Sequence, residues 1–263
     1  MWLVHPLGRA LLPLALRAGI SANFVSVTGL LVGVSAALAF ARWTTPGMAL
    51  LGLALGMLWL VCDGLDGMVA RATGTASAVG RVLDGVCDHG VFVVIYVLLA
   101  TSIGTGEAWA LAVIAGACHA VQSSLYEGER ARFHRRLRGD ATPPHHPNLG
   151  SAIVRGYDAL AGSIDRLAAR FDAAMRAAPD PVAAGRDYAA AAAPAMKAMS
   201  LLSANVRVLA ITLACLLQSP TLFWWIEIVP LTLVALATIG WHRRVERRLI
   251  DRFFITRGIH TGA

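Results

Sequence analysis

The chain has 263 residues, of which 57% are hydrophobic and only 15% are charged, and its mean hydropathy is +0.61. Soluble domains carry about 25% charged residues, so this composition excludes an ordinary soluble domain and indicates that lipid is the main solvent. The formal net charge is +7. We expect membrane lipid and no nucleic acid among the partners, and homodimerisation is left open.

The first 22 residues predict an interfacial, uncleaved segment, because prolines and arginines interrupt their apolar pattern. Six apolar stretches follow that are long enough to cross a bilayer. They cover residues 23–41, 47–70, 79–102, 107–126, 200–218 and 222–241. The predicted fold class is therefore an all-α integral membrane protein with six transmembrane helices and an N-terminal interfacial helix.

This pattern divides the chain into five regions. They are the interfacial segment 1–22, helices one to four at 23–126, a cytoplasmic basic and amphipathic insert at 127–199, helices five and six at 200–241, and a basic tail at 242–263. In the insert, apolar residues recur at steps of three and four, which is typical of an amphipathic helix on the membrane surface or against the bundle. They are Ile153, Tyr157, Leu160, Ile164, Leu167, Phe171 and Met175.

The distribution of basic residues predicts the orientation. The links 42–46 and 103–106 and the Ser219–Pro220 turn contain a single basic residue, Arg42. The opposite side collects the basic residues of the N-terminal segment, the insert and the tail. By the positive-inside rule both termini are expected in the cytoplasm, with the protein in the bacterial inner (plasma) membrane.

Four aspartates within a short segment form the candidate active site. Asp63 and Asp66 are three residues apart near the end of the second predicted helix, and Asp84 and Asp88 are four residues apart early in the third. Each spacing places its pair on one helix face. The segment between them is rich in small and polar residues, so we expect the chain to turn back and both acidic faces to meet at the cytoplasmic mouth of the bundle.

These carboxylates require compensation, because each charge at bilayer depth costs roughly 2.5–3.5 kcal/mol. Arg71 and Arg81 are the only basic residues nearby in sequence. Hard oxygen ligands suit Mg²⁺ or Mn²⁺, and magnesium often shares its coordination shell with substrate phosphates. We therefore expect two divalent ions that clamp a pyrophosphate.

The whole segment resembles the signature of the CDP-alcohol phosphotransferase (CDP-alcohol phosphatidyltransferase) family, D-x-x-D-G-x-x-A-R-x(8)-G-x-x-x-D-x-x-x-D. Its fixed positions are filled by Asp63, Asp66, Gly67, Ala70, Arg71, Gly80, Asp84 and Asp88. The resemblance implies a transferase of phospholipid biosynthesis that moves a phospho-alcohol group, expected to be phosphatidyl, from a CDP-linked donor to an alcohol and releases CMP.

The resemblance also implies residue roles. Asp63, Asp66 and Asp84 would hold metal ions and the donor pyrophosphate, while Asp88 would complete the second metal site and act as general base. Gly67, Ala70 and Gly80 would form the floor of the cytidine site, with Arg71 as a structural or phosphate-side partner. Asn23 and Ser26 resemble a pattern that lies near the donor phosphates in the family, although an ordinary helix cap explains them equally well.

Two basic residues are candidates for the acceptor site. Arg207 lies inside the fifth predicted helix, and Lys197 just precedes that helix. In relatives whose acceptor carries a phosphate, basic residues on this helix help to bind it. For Arg207, snorkelling to the interface or pairing with the aspartates is an equal alternative. The sequence does not identify the acceptor alcohol, and either CDP-diacylglycerol or a CDP-aminoalcohol fits as donor.

Two other functions remain as alternatives. A metal-dependent membrane prenyltransferase would also be helical and rich in aspartate, but its acidic motifs lie far apart in sequence. A divalent-cation transporter would require polar groups deep in several helices, whereas the acidic groups here gather at one mouth of the bundle.

Overall fold

A computed structural model describes residues 4–75, 78–142 and 168–260, with side chains for 6–75, 89–142 and 168–251. Of the described residues 87% are helical, and none lies in a strand. The expected all-α class is confirmed. The helices are α1 Val4–Arg17, α2 Ala22–Phe40, α3 Pro46–Ala72, α4 Ala78–Ile103, α5 Gly106–Leu137, α6 168–176, α7 Pro181–Met199, α8 Ala204–Leu216, α9 Thr221–Ile226 and α10 Thr232–His260.

Local signals in the sequence explain several helix ends. Ser21 caps α2, since its hydroxyl accepts a hydrogen bond from the Phe24 backbone N–H at 3.3 Å. Helix α7 begins at Pro181 directly after Asp180, whose carboxylate accepts from two backbone N–H groups of the first turn. Helix α4 ends before Gly104, whose φ of 75° is in the left-handed region that glycine tolerates.

The chain divides into two compact units. The first comprises Met1–Ala120 and Ala204–Pro230, and the second comprises Val121–Ser203 and Leu231–Ala263. In the first unit α2 packs on both α3 and α4, and α3 also packs on α1 and α8. The apolar core between these helices includes large aromatic side chains, among them Phe40, Trp59, Phe92 and Trp224.

Glycines on α2 and α3 allow this close approach. A Cβ at Gly29 would lie 3.1 Å from the Cβ of Cys62 on α3, and a Cβ at Gly33 would lie 2.5 Å from Val91 on α4. Gly56 on α3 is covered by Val208 of α8 in the same manner. Small residues at helix crossings are typical of membrane bundles, where backbones approach closely.

The membrane-spanning pattern agrees with the expectation in part. Four helices are long and apolar enough to cross a membrane, or up to five if a bent pair counts as one span. The bent pair is Pro181–Leu202 with Ala204–Leu216, at 42°. The expected helix at 200–218 is therefore replaced by a 3₁₀ turn, Ser200–Leu202, followed by the shorter α8. In the described part of α4, His89–Ile103 is a shorter apolar helix.

Two other elements differ from their expected bounds. Helix α5 continues beyond residue 126 to Leu137, so the basic stretch that was assigned to the insert extends the preceding helix. The π-helix Glu227–Leu231, which contains Pro230, interrupts the expected helix at 222–241 between α9 and α10. Proline lacks the N–H that a regular helical hydrogen bond would need at this point.

The second unit has a core of its own. Phe171 and Met175 of α6, Tyr188 of α7 and Leu249 of α10 form a buried cluster. The two apolar insert positions that fall within the described residues, Phe171 and Met175, are therefore core residues of this unit. The other five predicted positions, from Ile153 to Leu167, lie outside the described residues.

The N-terminal segment forms helix α1 and packs against α3. Ala15 joins Val25, Leu65 and Val69 in a small buried cluster. Gly8 lies so close to α3 that an added Cβ would meet the methyl group of Met68. Helix α1 thus contacts the turn of α3 that follows Asp66, while Leu7 and Leu14 remain exposed.

Candidate active site

The C-terminal part of α3 carries the first acidic pair. Asp63 and Asp66 lie on consecutive turns of a helix that continues without a break to Ala72. Asp66 is only 5% exposed, and Asp63 is half-buried. A carboxylate that is this deeply buried needs partners, because an isolated buried charge is costly.

Ser26 of α2 is one partner of Asp66. Its hydroxyl donates to Asp66 Oδ2 at 2.6 Å, and it lies 3.2 Å from the backbone carbonyl of Ala22. Because a hydroxyl has one proton, the shorter contact to the carboxylate is the stronger bond. Ser21, and neither Asn23 nor Ser26, caps α2. Asn23 is exposed in the first turn of this helix.

Arg71 lies one turn beyond Gly67 on α3. A Cβ at Gly67 would lie 3.3 Å from a terminal guanidinium nitrogen of Arg71, so this side chain folds back over the glycine. Arg71 is exposed, and Ala70 is half-buried. The absence of a side chain at residue 67 leaves room for the guanidinium close to the acidic pair.

The second acidic pair lies on α4, which is helical from Ala78. Asp84 and Asp88 are one turn apart on its backbone, and Gly80 lies in its first turn; the side chains of the two aspartates lie outside the described part. Gly33 of α2 is a reference point for positions along α3 and α4, because it faces both Trp59 on α3 and Val91 on α4. Asp66 and Asp84 are each seven residues from that reference point, or about 10 Å at 1.5 Å per residue.

Asp63 and Asp88 can be compared in the same way, by their distance in sequence from Trp59 and Val91. Asp63 is four residues beyond Trp59, and Asp88 is three residues before Val91. Helix α3 runs from this reference point toward the connection at 73–77, and α4 returns from it. Counted along α3 and α4, the two acidic pairs therefore lie at similar distances from Trp59 and Val91, the residues that face Gly33. Carboxylate oxygens are the hard ligands that Mg²⁺ and Mn²⁺ prefer, so these residues fit a divalent metal site.

Arg207 lies in a buried polar cluster of the first unit. Its Nε donates to Glu227 Oε1 at 2.9 Å, and both side chains are buried. His119 Nδ1 lies 3.4 Å from the same oxygen and 3.3 Å from the Tyr96 hydroxyl. Lys197, the other acceptor candidate, is exposed on α7 in the second unit. The acceptor roles of Arg207 and Lys197 stay predictions.

A second charged cluster lies in the second unit, and sequence reasoning missed it. Glu129, His242 and Glu246 are buried and place potential ligand atoms within 4.8 Å of one another. His242 Nδ1 lies 2.7 Å from Glu129 Oε2, and its Nε2 lies 2.8 Å from the Tyr188 hydroxyl. The one local signal was the spacing of four residues between His242 and Glu246, which places both on one face of a helix.

Guanidinium groups surround these carboxylates. Arg132 and Arg243 both contact Glu129, while Glu246 accepts from Arg243 at 2.6 and 2.7 Å. Arg136 also pairs with Glu246 and with Asp172. A divalent cation here would be repelled by three arginines that already neutralise the carboxylates. We therefore interpret this cluster as a buried ion-pair network rather than as the metal centre.

Comparison with known proteins agrees with the motif. Residues 20–132 match the family model of CDP-alcohol phosphatidyltransferases. This range includes α2, α3 and α4, and so contains all four aspartates and Ser26. No curated protein matches the chain. The family is a group of transferases that act on CDP-alcohols and are generally dependent on divalent metals.

Proposed function

We propose that this chain, recognised over residues 20–132 as a CDP-alcohol phosphatidyltransferase, transfers a phosphatidyl group from CDP-diacylglycerol to a polar alcohol and releases CMP. The observation that carries the proposal is the buried Asp66, which is held by Ser26 at 2.6 Å on the helix that precedes the helix of Asp84 and Asp88. The proposal is supported by helices that are long and apolar enough to cross a membrane, where a lipid-linked donor is available.

The four aspartates have two proposed roles, metal binding and proton transfer. Asp63, Asp66 and Asp84, together with Asp88, would hold Mg²⁺ or Mn²⁺. When bound, such ions neutralise pyrophosphate charge and stabilise the attacking and leaving oxygens. Asp88 takes the proton from the acceptor hydroxyl. That oxygen attacks the phosphorus distal to cytidine, the bond to the CMP oxygen breaks, and CMP leaves.

The residues between the acidic pairs would bind the nucleotide end of the donor. Gly67, Ala70 and Gly80 would form the floor of the cytidine site, and the exposed guanidinium of Arg71, which folds back over Gly67, can approach the donor phosphates. Asn23, exposed in the first turn of α2, would contribute a polar contact on the donor side, next to Ser26. Positioning and charge neutralisation are what phosphoryl transfer requires of a protein.

Arg207 of the first unit and Lys197 of the second unit are each proposed as acceptor-binding residues. Glu227 already balances the charge of Arg207, so a phosphate on the acceptor would compete with this carboxylate for the guanidinium. We also propose six membrane spans and an active site on the cytoplasmic side of the bacterial inner membrane.

Purified protein with Mn²⁺ or Mg²⁺ should release CMP from CDP-diacylglycerol when it is offered the correct alcohol. A mass-spectrometric panel of glycerol phosphate, inositol phosphate, serine and related alcohols would identify the acceptor from the lipid product. Asp88→Asn should lower turnover by at least roughly a thousandfold, because it removes both a base and a metal ligand.

The matched control is Asp140→Asn, which removes an exposed carboxylate from the second unit and should leave turnover unchanged. Full activity of Asp88→Asn with any acceptor would show that the base is wrongly assigned. If no CDP-linked donor raised the melting temperature of the wild type in the presence of metal, the proposed reaction itself would be wrong.

A further inference from the structure

One face of α10 is exposed along the described part of the helix. Its residues recur at the helical spacing and change in character along the axis. They are Leu233 and Leu236, then Trp241, then Arg244, Arg247 and Arg248, and finally Asp251. Leu236 is 65% exposed and Trp241 is 44% exposed, so apolar and aromatic groups precede the arginines on the same surface.

The opposite face of α10 explains why the exposed face is basic. His242, Arg243 and Glu246 point into the second unit, where they join the ion-pair network with Glu129. Glu246 is thereby withdrawn from the surface, although it is adjacent in sequence to Arg247. The exposed face between Trp241 and Arg248 carries three arginines and no carboxylate, and Asp251 follows one turn later.

The spacing fits the layers of a bilayer leaflet. Leu236 and Arg244 are eight residues apart, which corresponds to about 12 Å along a helix. Membrane helices leave the hydrocarbon region in the same order: leucine faces the lipid chains, an aromatic ring lies near the interface, and arginine lies at the headgroups. The helix belongs to a stretch, Thr221–Asp251, that is apolar and long enough to cross a membrane.

We propose that Arg244, Arg247 and Arg248, named here the arginine stripe, form a binding surface for the headgroup phosphates of anionic phospholipids. Guanidinium groups bind phosphate oxygens through paired hydrogen bonds, and arginine retains its charge at any physiological pH. The continuity of the stripe with exposed leucines favours a lipid leaflet over an acidic protein, because both parts of the surface then contact one partner. This inference does not depend on the proposed reaction.

Native mass spectrometry of the full chain in detergent can test the stripe. The protein is titrated with phosphatidylglycerol and, separately, with phosphatidylcholine of the same acyl chains. The triple variant Arg244→Gln, Arg247→Gln, Arg248→Gln should lose its preference for phosphatidylglycerol by at least about tenfold, while phosphatidylcholine binding stays unchanged. The preference of the wild type should also fall as ionic strength rises.

The control triple variant is Arg138→Gln, Arg170→Gln, Arg186→Gln, which removes the same charge from exposed positions elsewhere in the second unit. It should keep the wild-type preference. An equal loss in both triple variants would show that net charge alone attracts the lipid and would overturn the assignment. The assignment would also be overturned if the wild type showed no preference for phosphatidylglycerol, or a preference that does not depend on salt. This second test uses the wild type alone, so it does not depend on the folding of any variant.

Discussion

At the scale of single residues, the contact between Ser26 and Asp66 joins two helices at the candidate active site. Its 2.6 Å length and the burial of the carboxylate make it a strong, charge-assisted hydrogen bond. A buried carboxylate held in this way keeps one orientation. Preorganisation of a metal ligand by a neighbouring hydrogen bond is a general means of tuning a metal site.

Replacement of this serine should therefore weaken the site without removing a ligand. We expect Ser26→Ala to lower turnover by about tenfold or more and to raise the Mn²⁺ concentration required for half-maximal activity, since a hydrogen bond to a charged group contributes roughly 1.5–3 kcal/mol. Steady-state CMP release at varied Mn²⁺ measures both effects.

Ser35→Ala is the matched control on α2, because the hydroxyl of Ser35 bonds to the Leu31 carbonyl of its own helix and is remote in sequence from the motif. It should behave as wild type, and Ser26→Thr should restore activity in part. Identical metal dependence of Ser26→Ala and the wild type would mean that the contact does not support the site.

Arg207 shows how one charge can have two explanations. An arginine within an apolar helix suggests a functional site. The second explanation is structural, because Glu227 pairs with Arg207 and neutralises its charge at this buried position. Glu227 lies in a π-helix, a form of backbone that often occurs at functional sites. The ion pair thus joins α8 to the segment after α9 within the first unit.

At the scale of helices, the glycine face of α2 positions the active site. Gly29 and Gly33 bring α3 and α4 against α2, and these are the two helices that carry the aspartates. Close packing leaves little free volume, so an added methyl group must displace a neighbour. Helix α2 therefore serves as the common support that relates the two acidic pairs.

Gly33→Ala should destabilise the first unit, because its Cβ would lie 2.5 Å from Val91 Cγ2 and 3.3 Å from Trp59. Overpacking of this kind costs about 1–3 kcal/mol, and we expect a lower melting temperature in detergent together with reduced CMP release.

Gly47→Ala serves as the control, since an added Cβ at Gly47 meets nothing within 4 Å. Alanine also favours the helix, so this variant should melt at the wild-type temperature or slightly above. A Gly33→Ala protein as stable and active as the Gly47→Ala protein would refute the supporting role of this face.

At the scale of the whole molecule, the two units have different means of stabilisation. The core of the first unit is largely apolar, and the second unit adds a buried network of ion pairs to a smaller apolar cluster. Buried ion pairs do not necessarily add stability, but removal of one partner leaves an uncompensated charge. The network accordingly restricts which residues are tolerated at its positions.

The charge distribution predicts the topology of the whole chain. In a variant without native cysteines, Thr44→Cys should react with a membrane-impermeant maleimide in intact cells, because the link at 42–46 is expected outside. Asp140→Cys should react only after permeabilisation. Both positions are exposed, so accessibility within the protein does not limit the reaction. The reverse pattern would invert the proposed orientation.

The sequence by itself determined the helical class, the membrane environment, the acidic motif and the resemblance of that motif to a family signature. These properties depend on composition and on residue spacings within one helix or between neighbouring helices. Both are local features, so they can be predicted from the sequence. Helix ends depend on tertiary contacts as well, since α5 continues into charged residues that are stabilised by contacts inside the second unit.

Only the tertiary structure decided which distant residues meet. Ser26 and Asp66 are 40 residues apart, His119 and Glu227 are 108 apart, and Arg136 and Glu246 are 110 apart. A helical period shows which residues share a face but not which face of another helix they contact. Which faces meet depends on the fit of side chains across the interfaces. For this reason Arg243 is buried, whereas the arginines near it on α10 are exposed.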